Sequence, residues 1–133
     1  MNCLVSSIYY CPVKSLSFQS LKSCDVKKNL GMQNDRIFAF SRGVDNEKAK
    51  LIEKNPNERK LQNFLTLKNS PVLNKYNFMY DGKNLTLTHE NKELISIISD
   101  SSNEQFLLSN KLLELEGTLL KPIVLLKNSN FPF

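Results

Sequence analysis

The chain has no tryptophan, a single histidine, four glycines and three arginines among its 133 residues, and the scarcity of histidine and of glycine each removes a class of function. His89 stands alone at the end of a predicted strand, and no neighbouring residue makes it the base of a nucleophilic pair. Gly31, Gly43, Gly82 and Gly117 are isolated turn residues, so there is no glycine-rich phosphate loop. Cys3, Cys11 and Cys24 are odd in number and lack C-x-x-C spacing, which argues against a disulfide framework and against a zinc site. They read as buried or half-buried free thiols. No apolar run approaches the ~20 residues a membrane helix needs. Ser6, Ser7 and the tyrosines break up the start of the chain, which argues against a secretory signal. A soluble, cytoplasmic protein is the expectation.

Hydrophobic residues make up 41% of the chain and charged ones 23%, the composition of a globular protein, and the length suits one domain spanning residues 1–133. The net charge is +5, but 15 of the 18 basic residues are lysines scattered among 16 asparagines. Such a diffuse charge reads as a solvated surface rather than a nucleic-acid footprint. Against that background the few arginines are more informative than the lysines.

The first forty residues read as extended segments broken by a turn at "KKNLGMQND". Residues 43–60 are charged and poorly periodic, with Pro56 in the middle; an exposed loop is expected, with room for one helical turn around "NEKAKLIE". "NFLTLKN" alternates like a strand. Ser70 and Pro71 open a short helical turn. "KYNFMYDGKNLTLTH" is a hairpin around Asp81-Gly82, and "KELISIISD" continues it as a third strand. A longer helix follows, capped by Ser101 or Ser102, carrying Phe106, Leu107, Leu108, Leu112, Leu113 and Leu115, and stopped at Gly117. "TLLKPIVLLKN" is a last strand at an edge or bulge. The fold class expected is mainly β: a small barrel-like domain, closed or nearly closed, of six or seven strands, with one C-terminal-half helix packed against an opening.

No local pattern supports catalysis. Glu47, Glu53 and Glu58 lie in the charged segment, where carboxylates solvate more often than they catalyse. Two constellations remain. Lys14-Ser15, behind Pro12, puts a cation and a hydroxyl on a loop whose geometry the proline restricts, a pair suited to phosphate or carboxylate. Asp35-Arg36 places one of the rare arginines straight after a turn, where the two side chains can form a local ion pair worth about 0–1 kcal/mol.

"PVKS", an extended stretch and then "GMQNDRIFAF" resemble the opening of the N-terminal β-barrel domain of MOSC proteins. That family includes the C-terminal regions of molybdenum-cofactor sulfurases and the amidoxime-reducing molybdenum enzymes. "FLTLKNSPVLNKY" and "GKNLTLTHENKELISI" look like its later segments, so the resemblance covers nearly the whole chain. It implies a non-catalytic binding domain that helps to enclose molybdenum cofactor (molybdopterin) or substrate, with Lys14, Ser15 and Arg36 as the residues on the cofactor's phosphate or pterin. It also implies a partner, a cysteine-bearing MOSC catalytic domain in cis or in trans, expected to be absent from these 133 residues. The sequence departs from the family at Leu16-Ser17, where glycine is common, and at Thr66-Leu67-Lys68, where Thr-x-Arg is usual. Cys3, Cys11 and Cys24 do not match the family's metal-ligating cysteine.

Two readings from other classes stand beside this one. A small basic β-barrel binds single-stranded nucleic acid by stacking bases on aromatics, here Tyr9, Tyr10, Phe38, Phe40, Phe78 and Tyr80. Alternatively the domain is a structural module that has lost its site.

Overall fold

A computed structural model describes residues 2–133. In chain order it comprises β1 (Ile8–Tyr10), β2 (Gln19–Leu21), β3 (Val26–Lys27), β4 (Gly31–Met32), β5 (Phe38–Arg42), α1 (Asn46–Lys54), β6 (Tyr76–Tyr80), β7 (Asn84–His89), β8 (Lys92–Ile98), α2 (Ser102–Leu115) and β9 (Ile123–Lys127). Three short 3-10 turns, Pro56–Glu58, Leu61–Asn63 and Pro71–Lys75, join α1 to β6. All pairings between these strands are antiparallel: β1 with β2, β3 with β4, β5 with β9, and the meander β6-β7-β8.

β5 is the axis of the molecule. Phe38 through Ser41 are buried, because both faces of the strand are covered. Phe38 and Phe40 point into the main core with Phe78, Leu85, Leu108 and Leu125. Ala39, on the other face, joins a second cluster of Ala49, Ile52, Phe64, Leu126 and Phe133. The unbroken apolar run "IFAF" is what a strand buried on both sides requires.

The expected barrel does not form, because the sheets remain small and none closes on itself. Side chains fill the places where ladders would run. Beside β6, Ser17 Oγ accepts the Phe78 N–H at 2.7 Å and Gln19 Oε1 accepts the Tyr80 N–H at 2.9 Å. The free edge of β6 is thus satisfied two residues apart without a paired strand. Between β8 and β9 lies α2, where Ser109 Oγ accepts the Leu125 N–H at 3.1 Å and Gln105 Nε2 donates to the Ser99 carbonyl at 2.6 Å. The result is a mixed, small α/β fold with nine strands and two α-helices among the described residues.

α2 begins as its sequence predicts, with Ser101 as cap accepting from the Glu104 N–H, but it ends at Glu116 rather than through a left-handed glycine. In the charged segment the helical turn expected around "NEKAKLIE" lengthens into α1, nine residues long. Asp45 caps it by accepting the Lys48 N–H at 2.8 Å, and Ala49 and Ile52, three apart on one face, bury against the second cluster. "NFLTLKN" is no strand beyond one bridge from Phe64 to Ser41. Asn69 diverts it: its Oδ1 accepts the Thr66 N–H at 3.0 Å, its Nδ2 donates to the Phe64 carbonyl at 2.9 Å, and its own N–H donates to Thr66 Oγ1 at 3.2 Å. These local bonds take the backbone groups a ladder would use.

Candidate functional site

The "PVKS" loop and the Asp35-Arg36 turn lie against each other. Residues 11–14 run beside residues 36–38, with the Arg36 N–H donating to the Cys11 carbonyl at 2.6 Å, Phe38 N–H to Pro12 at 3.1 Å and Lys14 N–H to Phe38 at 2.8 Å. Val13 and Phe38 form a parallel bridge. Asp35 completes the join: its Oδ1 accepts the Cys11 N–H at 2.9 Å while its Oδ2 accepts from Arg36 Nε at 3.1 Å. The carboxylate is therefore a latch between the two segments as well as the local ion-pair partner of Arg36.

Ser15 and Arg36 both adopt left-handed backbone, at φ 59° and 53°. For a residue other than glycine or asparagine this conformation costs roughly 1–2 kcal/mol. Here the surrounding hydrogen bonds impose it. The Ser15 side chain and most of the Arg36 guanidinium face solvent.

Lys14 is half-buried and, among the described residues, has no carboxylate within ion-pair distance. Its ammonium stands 5.7 Å from the centroid of the Phe64 ring. Burial, and then the positive charges of Arg36 and Arg59, push its pKa below the usual lysine value. An anion placed there relieves all of these costs at once.

Arg59 lies in no sequence motif. Its guanidinium lies 4.1 Å from the Phe133 ring centroid, and the Phe133 and Phe64 rings meet edge to face at 5.8 Å. Lys14 and Arg59 thus stand over two touching rings. Three of its donors are used: Nε on the Ile52 carbonyl at 3.2 Å, Nη2 on Glu53 at 3.2 Å and Nη1 on Pro132 at 2.9 Å. Ile52 and Glu53 belong to the last turn of α1, where carbonyls lack helical partners. Two of the five guanidinium hydrogens stay available. The one signal in the sequence was the rarity of arginine.

Cys11 is not available for chemistry. Its thiol donates to the Val13 carbonyl at 2.7 Å, and burial pushes its pKa up, so it stays protonated. Cys24 is half-buried, but Cys3 is exposed, contrary to expectation. His89 ends β7 with its ring 5.5 Å from that of Tyr76. Among the three loop carboxylates, Glu58 pairs with Lys48 at 2.8 Å and Glu53 accepts the Lys127 N–H at 2.9 Å. Of the six aromatics considered as a base-stacking platform, only Tyr9 is exposed, and the other five lie in the core. The described residues contain no cluster of His, Cys, Asp or Glu able to hold a metal, and no helix long and apolar enough to cross a membrane. No protein-family model, no curated protein and no solved structure matches this chain.

Proposed function

We propose that this is a non-catalytic anion-binding domain that holds the phosphate of a ligand through Lys14, Ser15 and Arg36. The observation that carries the reading is the hydrogen-bonded join between residues 11–14 and 35–38, which lays the loop bearing Lys14, an ammonium without a carboxylate partner among the described residues, against the turn bearing Arg36. A dianionic phosphate suits this set: Lys14 as a point charge, Arg36 as a planar donor, Ser15 as an exposed hydroxyl. The strain at Ser15 and Arg36 supports it, since left-handed non-glycine residues gather where function over-determines the backbone.

With the MOSC resemblance, the ligand is a molybdenum cofactor, whose phosphate fits the donors present. When bound, that group supplies oxidoreductase or sulfur-transfer chemistry, and a cysteine-bearing MOSC domain in cis or in trans provides the rest of its enclosure. The residues of this chain hold and orient the phosphate end. They carry no proton transfer, and the one buried thiol nearby is committed to Val13.

The test is a titration of the isotope-labelled chain with sodium phosphate against sodium chloride at equal ionic strength. Saturable amide shifts at Lys14, Ser15 and Arg36 are expected, and Arg36→Gln should weaken them about tenfold. Shifts that are equal in the two salts, or that spread evenly over the surface lysines, would remove the reading.

A further inference from the structure

Arg59 joins this site to the last residues of the chain. The segment from Asn128 to Phe133 is tied to the Arg36 turn by two backbone bonds, Asn128 N–H to the Ile37 carbonyl at 2.8 Å and Phe133 N–H to the Arg36 carbonyl at 2.8 Å. From the other side Arg59 holds the Pro132 carbonyl and covers the Phe133 ring. Asn128 shapes the segment itself: its Oδ1 accepts the N–H groups of Asn130 and Phe131, at 3.1 and 2.9 Å, and its Nδ2 donates to the Glu53 carbonyl at 2.8 Å. Phe133 is consequently buried, although Phe131, two residues earlier, is exposed.

We infer that Arg59 is the third cation of the anion site, and that a bound phosphate fixes the Asn128–Phe133 segment against the opening loop. The inference rests on the anion-site reading above and adds a residue and a consequence to it. Three features carry it. Arg59 holds the Pro132 carbonyl at 2.9 Å while the next residue, Phe133, donates its N–H to the Arg36 carbonyl at 2.8 Å, so Arg59 is tied to the Arg36 turn. It retains unused N–H donors after its three carbonyl bonds. The Phe64 ring beneath Lys14 and the Phe133 ring beneath Arg59 meet edge to face at 68°, so the two cations are linked through one aromatic contact. An anion between them draws both charges inward, and Arg59 brings Pro132 and Phe133 with it. The ligand class is a compact dianion, a phosphate monoester or inorganic phosphate.

Inorganic phosphate is the probe, added to the full chain at constant ionic strength, with the Arg59 guanidinium Nη–H resonances and hydrogen exchange at Phe133 and Asn128 as readouts. The expected result is a saturable Nη–H shift on the same isotherm as Lys14 and Ser15, with exchange at both amides slowed severalfold. Arg59→Lys, which keeps the charge but loses the fork, should weaken phosphate about tenfold. Should that variant fail to fold, the two readouts on the unsubstituted chain decide alone. Shifts at Lys14 and Arg36 with none at the Arg59 Nη–H groups and unchanged exchange would overturn the inference while leaving the anion site standing. Absence of saturable shifts at all four residues would overturn the site, and the inference with it.

Discussion

Replacing Lys14 by methionine should make the protein more stable and less able to bind phosphate. Methionine keeps an unbranched stem to cover Phe64 while removing the charge. What is lost is a cation–π contact at 5.7 Å, near the far limit of such interactions and worth about 0.5 kcal/mol. What is relieved is larger: a half-buried ammonium and its repulsion by Arg36 and Arg59. Like-charge neighbours cost about 0.2–0.5 kcal/mol each even at exposed positions, and partial desolvation adds to that. The balance favours Lys14→Met by about 0.5–1 kcal/mol, a rise in melting temperature of roughly 2–4 °C for a domain of this size. The pH dependence gives an independent sign. Because the folded pKa of Lys14 lies below the ordinary 10.5, the unfolded chain binds more protons between the two values, and stability rises with pH through that window. Lys14→Met should lose this rise. Scanning calorimetry with and without phosphate reads all three effects. At ten times its dissociation constant phosphate stabilises a binding protein by about 1.4 kcal/mol, and the variant should show little of it. A variant that melts lower than its parent and is still stabilised by phosphate to the parent's extent would refute the reasoning.

Two further predictions concern the frame. Glu116, at the end of α2, accepts from the Tyr76 hydroxyl at 2.7 Å and pairs with Lys75, whose ammonium holds its carboxyl below the usual carboxylate range. Tyr76→Phe should cost about 1 kcal/mol in urea unfolding. The stability owed to the ionised Glu116, present above the ordinary carboxylate pKa, should disappear as pH falls through the lower folded value, and Glu116→Gln should flatten that acid limb. Ser17→Ala and Gln19→Ala strip the acceptors from the Phe78 and Tyr80 N–H groups. Each should cost about 1–2 kcal/mol and speed exchange at the amide it leaves unpaired, whereas unchanged exchange would mean that β6 does not depend on these side chains.

The parts of the fold legible in the sequence are those whose signals are local. Asp81-Gly82 between alternating segments marked the β6–β7 hairpin, and Ser101 with the leucines after it marked α2. Of α1 only a single turn around "NEKAKLIE" was legible, because only Ala49 and Ile52 bury from a nine-residue helix that is otherwise largely charged, so it leaves almost no periodicity. "NFLTLKN" misled for the opposite reason: its alternation is strand-like, but hydropathy does not register that the Asn69 amide takes up the backbone groups around it. The barrel expectation failed in the same manner. Counting strands assumes that neighbouring strands join through ladders. Here two of the joins are made by the side chains of Ser17 and Gln19 and by α2 wedged between β8 and β9.

The candidate site has a different dependence on sequence. Lys14 and Arg36 stand out as motifs, whereas Arg59 follows an unremarkable 3-10 turn, and what gathers them is β5. Val13 meets Phe38 in parallel, a contact available to the chain only after the excursion through β2, β3 and β4. On its other face Ala39 meets the cluster that holds Ile52, Phe64 and Phe133, and those residues carry the rings and the helix end on which Lys14 and Arg59 rest. A strand covered on both faces is therefore the element that fixes the spacing of the cations. Core substitutions such as Phe40→Leu, remote from any ligand, should reach the site through β5, while equal losses of stability in the β6-β7-β8 meander should leave it in place.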